Sequence, residues 1–148
     1  MFQGNQLYQD VLQAVEKWRP AEAYDHEREF QKKLQEFLDD ELNSSDDAFG
    51  LGSEQDRVVS RERGKSNADI VVDDTVRVEM KRDLTNSQEK KLRGQVEDYL
   101  DSYNYVIVVA CGVRDKDGWR RLKNKFEGNR GFDQGRVRFV WKREENYG

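Results

Sequence analysis

The chain opens with apolar residues at helical spacing. They recur every three or four positions until Pro20, so the pattern predicts an amphipathic helix over residues 5–18 that ends before the proline. Such a helix could cap the core, or it could offer its apolar face to a second copy of the chain. The apolar positions are Leu7, Val11, Leu12, Val15 and Trp18.

A second stripe of the same period predicts a helix over residues 25–42, with Asp25 as its N-cap. The next fourteen residues, NSSDDAFGLGSEQD, are rich in Gly, Ser, Asn and Asp and predict a loop. Loops of this length often carry function. The apolar positions of the second helix are Phe30, Leu34, Phe37, Leu38 and Leu42.

Three segments with strand-like alternation follow the loop. They are RVVSRER at 57–63, ADIVV at 68–72 and TVRVEMK at 75–81. Asp73 and Asp74 stand between the last two segments, where a tight turn is expected. The pattern therefore predicts an antiparallel meander of three strands.

The second half of the chain alternates helices with strands. Helical spacing predicts a helix over 85–103, capped by Thr85 or Ser87, and the apolar run at 105–110 predicts a buried strand. A short helix around 119–126 and a strand at 136–142 complete the order α-α-β-β-β-α-β-α-β. This order predicts an α/β (α+β) fold with a mixed central sheet flanked by helices.

The short helix mixes basic and aromatic residues in the segment GWRRLKNKFEGNRG. Trp119, Leu122 and Phe126 have helical spacing, which favours packing onto a sheet over stacking with nucleic-acid bases. The basic residues between them could contact phosphates. These residues are Arg120, Arg121, Lys123 and Lys125.

Length and composition favour one domain. A chain of 148 residues can bury one modest core, and its opening residues show neither a leader nor a membrane-spanning run. We therefore expect a soluble, cytoplasmic protein. Cys111, the only cysteine, lies in the apolar run YVIVVACGV and is expected to be buried and reduced. His26 is the only histidine, which excludes histidine-based triads and multi-histidine zinc sites.

The charge is unevenly distributed along the chain. The net charge is −4, but residues 1–56 hold 5 basic and 14 acidic side chains, whereas residues 111–148 hold 11 basic and 6 acidic ones. A face that binds a polyanion therefore stays compatible with the overall negative charge.

Two carboxylates and a lysine suggest metal-dependent chemistry. In the segment at 75–81, alternation places Arg77, Glu79 and Lys81 on one face of the strand. Asp69 lies in the preceding strand, and a hairpin would bring its carboxylate beside that of Glu79. Two adjacent carboxylates repel unless a cation lies between them, and such oxygen ligands suit Mg²⁺ or Mn²⁺. The alternative is an ordinary solvated strand face.

Two further polar residues fall on apolar stripes. Glu27 precedes Phe30 by three positions, and Gln95 accompanies Val96 and Tyr99 on the inner face of its helix. An inward carboxylate needs a metal or a cationic partner, unless it curls to solvent from the first helical turn. A buried amide needs hydrogen-bond partners, which the backbone could also supply.

Residues 24–110 resemble the PD-(D/E)XK nuclease superfamily. The resemblance rests on Glu27, Asp69, the Glu79-Met80-Lys81 motif and the helix RGQVEDYL, which a hydrophobic strand follows. Within the superfamily, the chain most resembles small stand-alone nucleases of the Holliday-junction-resolvase, Mrr and restriction types. The resemblance implies a restriction endonuclease-like αβββαβ core, extended here by an N-terminal helix at 1–20 and by a C-terminal helix and strand at 111–148. The family's proline before the first aspartate is absent, because Asn67 and Ala68 precede Asp69.

By resemblance, Asp69, Glu79 and the Met80 carbonyl would bind Mg²⁺ or Mn²⁺, and Lys81 would serve the attacking water. Glu27 would hold a metal-bound water or a second ion, and Gln95 would be a supporting residue. The expected reaction is endonucleolytic, in-line hydrolysis of DNA that leaves a 5′-phosphate. The basic candidates for phosphate contacts are Arg61, Arg63, Lys65, Arg77 and Arg82.

The sequence leaves a second hypothesis open, in which a nuclease fold without turnover binds nucleic acid or protein. The acidic first third of the chain motivates it. A homodimer is expected if both DNA strands are cut, and RNA is an alternative substrate.

Overall fold

The computed structural model describes residues 4–43, 57–61, 70–128 and 135–148. Four helices and five strands follow one another in the predicted order, so the mixed α/β class is confirmed. The loop predicted at 43–56 lies outside the described residues except for its first position. The elements are α1 (Gly4–Lys17), α2 (Glu27–Leu42), β1 (Val59–Arg61), β2 (Ile70–Val72), β3 (Val76–Leu84), α3 (Asn86–Ser102), β4 (Tyr105–Val113), α4 (Lys116–Glu127) and β5 (Val137–Lys142), with a short 3₁₀ helix at Glu144–Asn146.

The five strands form one mixed sheet in which the strand order equals the chain order. The pairs β1–β2 and β2–β3 are antiparallel, whereas β3–β4 and β4–β5 are parallel. The predicted turn between β2 and β3 is confirmed. Asp73 and Asp74 have φ values of +50° and +53°, and the amide of Thr75 donates to the carbonyl of Val72, as in a type I′ turn.

Two apolar clusters pack on opposite faces of this sheet. Helices α1 and α2 cover the face that carries Val78, Met80 and Ile107, and α3 and α4 cover the face that carries Val108 and Phe139. Strands β3 and β4 are therefore buried on both faces, which is typical of the parallel part of a sheet. No helix in the described part of the chain has the length and apolarity needed to cross a membrane.

Helix α1 caps the core. Its apolar residues Leu7, Val11, Leu12 and Trp18 are buried in the same cluster as β3 and β4, and the ring of Tyr8 stacks on that of Tyr105 at 4.3 Å. The apolar face of this helix is occupied within the chain. It is therefore not available as the surface for a second copy that the sequence left open.

Three local details differ from the predicted boundaries. Helix α2 begins at Glu27 with His26, not Asp25, as its N-cap, because the carboxylate of Glu29 accepts a hydrogen bond from the His26 amide at 3.2 Å. Strands β3 and β4 each extend three residues further than predicted, because they pair with each other up to Leu84 and Val113.

Other local predictions are confirmed. Thr85 caps α3 and shares reciprocal hydrogen bonds with Gln88. Trp119 and its apolar partners pack onto the sheet. Cys111 is a buried free thiol, and burial raises its pKa to about 12.

Candidate functional site

The charged row of β3 is buried under α3. Arg77 is 4% exposed, Glu79 is 2% exposed and Lys81 is half-buried. The alternative of a solvated strand face is therefore wrong. The row survives in the interior because its members are partners of one another.

Glu79 lies between two cations of its own strand. Its Oε2 is 3.1 Å from Nζ of Lys81, and its Oε1 is 3.6 Å from Nε of Arg77. Oε1 is buried and accepts no hydrogen bond from the described residues. A buried carboxylate oxygen without a hydrogen-bond donor is stabilised by nearby positive charge, which Nε of Arg77 supplies at 3.6 Å.

Glu27 is the first residue of α2, the helix that covers the opposite face of the sheet, and it is influenced electrostatically by the charged row of β3. Burial raises the pKa of its carboxyl group, the positive charge of Lys81 lowers it, and the negative charge of Glu79 raises it again. The three groups are therefore close enough to interact electrostatically. Glu27 of α2 is thus within electrostatic range of Glu79 and Lys81 of β3, and its role at a shared site stays a prediction.

Gln95 lies over the same part of β3. Its neighbour one turn further along α3, Tyr99, contacts Arg77, whose guanidinium carbon lies 3.6 Å from the ring centroid. Helix α3 runs antiparallel to β3. The step from Tyr99 back to Gln95 is four helical residues, roughly 6 Å, and this matches the two-residue step along the strand from Arg77 to Glu79. Oε1 of Gln95 is buried and accepts no hydrogen bond from the described residues.

Asp69 lies outside the described residues, so the structure does not report its carboxylate. It directly precedes Ile70, which pairs with Val78, the neighbour of Glu79. The main chain of Met80 is adjacent to the site, whereas its side chain is fully buried in the core on the opposite face.

The five basic residues predicted to contact phosphates do not share one location in the structure. Arg77 is buried beneath Tyr99 and beside Glu79, which is a correction to its predicted place at a phosphate-binding surface. Arg82 is half-buried, and its Nε donates to the carbonyl of Tyr24 at 2.9 Å, so it anchors the segment that leads into α2. Arg63 and Lys65 lie outside the described residues, as does the side chain of Arg61.

No group of three or more His, Cys, Asp and Glu side chains with metal-binding geometry is present in residues 4–43, 57–61, 70–128 and 135–148. Of the carboxylates predicted to bind the metal, Glu27 and Glu79 lie in the described part of the chain. The third carboxylate of the prediction, Asp69, lies in a gap between those ranges.

One acidic residue was missed by the sequence analysis. Glu89 of α3 is 4% exposed and lies beside Asp115, the N-cap of α4, and burial together with this neighbour raises its pKa to about 7. The signal was present, because Glu89 precedes Leu92 by three positions on an apolar stripe, just as Glu27 precedes Phe30.

Comparison of the chain with protein-family models, with curated proteins and with solved structures finds no match. The geometry of the site is therefore the basis on which its function is argued.

Proposed function

We propose that this chain is a metal-dependent nuclease with a restriction endonuclease-like core, and that it hydrolyses phosphodiester bonds of DNA by in-line attack of water. The observation that carries the proposal is the buried carboxylate of Glu79, which lies 3.1 Å from Nζ of Lys81 and within electrostatic range of the partly buried Glu27. A solvated strand face would have left these groups apart. The order α2, β1–β3, α3, β4 agrees with the αβββαβ core that the resemblance implies.

The residues present fit a hard divalent cation. Glu79 offers a buried carboxylate oxygen that accepts no hydrogen bond from the described residues, and Glu27 offers a second carboxylate that is partly buried. Asp69, one residue before Ile70, would add the third. Oxygen donors of this kind select Mg²⁺ or Mn²⁺ over softer metals. When bound, such an ion would stabilise negative charge that develops on the phosphate oxygens and would acidify a coordinated water.

The chain's own side chains have separate roles in the proposed reaction. Lys81, half-buried beside Glu79, places a positive charge next to the reacting phosphate and orients the attacking water. Glu27 holds water by hydrogen bonding from the α2 side. Arg77 is a positioning residue, because its buried guanidinium holds Glu79 from one side while Tyr99 holds the guanidinium in place.

The test is cleavage of supercoiled, linear, single-stranded and four-way-junction DNA, and of RNA, with Mg²⁺ or Mn²⁺. The variants Asp69→Asn, Glu79→Gln and Lys81→Met should each lower the rate by about 100-fold or more. Lys33→Met, at an exposed position of α2, is the control for loss of one positive charge. Circular dichroism checks that each variant is folded.

Equal cleavage by wild type, Lys81→Met and Lys33→Met would overturn the assignment. Binding of DNA without cleavage of any substrate would instead support the second hypothesis, a binding module with a nuclease fold. Mn²⁺ titration with and without DNA, followed by electron paramagnetic resonance, separates these outcomes, because an active site of this composition binds the ion through its carboxylates, alone or together with substrate phosphates.

A further inference from the structure

A cavity of about 230 Å³ lies between α3 and α4, apart from the site that contains Glu79. It is several times larger than the roughly 30 Å³ that one water molecule occupies. Four cationic side chains line it, two from each helix, and we call it the α3–α4 pocket. They are Lys90 and Arg93 of α3 and Arg121 and Lys125 of α4.

The positive charge of the pocket is only partly balanced by nearby carboxylates. Arg93 and Lys125 share a single carboxylate, that of Glu97, at 3.9 and 3.8 Å. Lys90 and Arg121 form no ion pair with any residue in the described part of the chain. Cations that converge from two helices repel one another, so an anion between them would be stabilised by all four.

Two acidic groups, Glu89 and Asp115, lie near Arg121 at one end of the pocket, and the charge of Arg121 lowers the pKa of both. Oδ2 of Asp115 accepts from Asn86 at 2.8 Å, and its Oδ1 accepts from the amide of Gly118 at 3.1 Å. Glu89 is buried against them, and because the pKa of Glu89 is about 7, the two carboxyl groups together carry less than two negative charges at neutral pH. The positive charge of the pocket therefore prevails.

We propose that the α3–α4 pocket binds a phosphate group. Two guanidinium groups and two ammonium groups suit this anion, because arginine forks match phosphate oxygens and lysine adds compact charge. The buried side chain of Leu122 supplies an apolar wall on which the non-phosphate part of a ligand can lie. The phosphate can belong to a free nucleotide or to a nucleic-acid strand, since both present the same oxygens.

The test is calorimetric titration of the full chain in EDTA, so that no divalent ion and no cleavage is involved. The probes are inorganic phosphate, thymidine, thymidine 5′-monophosphate and an oligothymidylate without terminal phosphates. Arg121→Met and Arg93→Met should each weaken binding of the phosphate-bearing probes by about tenfold. Arg120→Met, on the same helix but outside the pocket, removes the same charge and should change binding little.

The probes distinguish the source of the phosphate. Binding of the monophosphate but not of the oligothymidylate assigns a free nucleotide, and binding of the oligothymidylate that Arg121→Met weakens assigns a strand. Absence of binding by every phosphate-bearing probe at millimolar concentration would overturn the proposal. So would equal weakening by Arg120→Met and Arg121→Met, or binding of thymidine as tight as that of its monophosphate. Unfolding curves of the variants exclude loss of the fold as the cause.

Discussion

Asp83 and Gly112 lie opposite each other on β3 and β4, and both have left-handed backbone conformations, with φ values of +47° and +92°. The carboxylate of Asp83 occupies the space that a Cβ on Gly112 would take. The same carboxylate lies 3.4 Å from Arg82 and 3.7 Å from Arg114. A side chain at position 112 would therefore disturb both the backbone and this group of charges.

Gly112→Ala should lower the free energy of unfolding by about 1–3 kcal/mol, because it combines a left-handed residue with a steric overlap. Gly94→Ala is the matched control. Gly94 lies within α3, and a Cβ there would meet no atom within 4 Å, so alanine should stabilise the protein by about 0.5–1 kcal/mol. Urea denaturation measures both, and a neutral Gly112→Ala variant would show that the left-handed pair is not required.

Arg77→Leu should destabilise the protein by about 3 kcal/mol, because it leaves the buried carboxylate of Glu79 with Lys81 as its one ionic partner in the described residues of β3. The double variant Arg77→Leu/Glu79→Gln removes the unpaired charge and should recover part of this loss. Denaturant unfolding of the single and double variants forms a mutant cycle. A cost under about 1 kcal/mol for Arg77→Leu would contradict the role given to Arg77 as a buried ion partner.

The free energy of unfolding should fall as the pH rises from about 4.5 to about 7. The pKa of Glu89 is raised from 4.5 to about 7 in the folded state, so the folded protein holds this proton more tightly than the unfolded chain does. The stabilisation is complete below pH 4.5 and is lost as the pH passes 7.

Glu89→Gln cannot ionise and should reduce this pH dependence to the smaller share that Glu27 contributes, while keeping a donor toward Asp115. Chemical denaturation at a series of pH values measures the slope for both proteins. Parallel curves for wild type and Glu89→Gln would show that Glu89 is not the titrating group.

Arg82→Lys should loosen the segment that precedes α2, because lysine cannot reproduce the hydrogen bond from Nε to the carbonyl of Tyr24. Faster amide hydrogen exchange is expected across residues 22–27, with little change in the exchange of β4. If Arg82 positions Glu27, nuclease activity should fall in the same variant. Unchanged exchange would show that this hydrogen bond does not hold the segment.

Much of the fold follows from spacing alone. The helices α1, α2 and α3 bury one face each, so their apolar residues keep a helical period that a sequence reveals. The hairpin turn follows from Asp73 and Asp74, which tolerate left-handed backbone. The last residues of β3 and β4 could not be predicted, because Arg82 and Gly112 are strand residues only by virtue of pairing between segments that are distant in sequence.

The candidate site was predictable in part for the same reason. Glu27 was recognisable because it interrupts an apolar stripe, and the structure places it near Glu79 and Lys81. The burial of Arg77 was not predictable, because alternation assigns a charged residue to solvent, whereas the ion pair with Glu79 and the contact with the Tyr99 ring hold it inside. Glu89 satisfied the stripe criterion, but its partner Asp115 belongs to a different helix, which spacing along one element cannot reveal.

The strand order has a consequence for the growing chain during synthesis. Each new strand pairs beside the one made just before it, so no strand has to enter between two that are already joined. Helix α1 is the exception, because its Tyr8 rests on Tyr105 of the fourth strand. Helix α1 therefore cannot complete its packing until β4 is made, and until then part of its apolar face is open to chaperones and to misassembly.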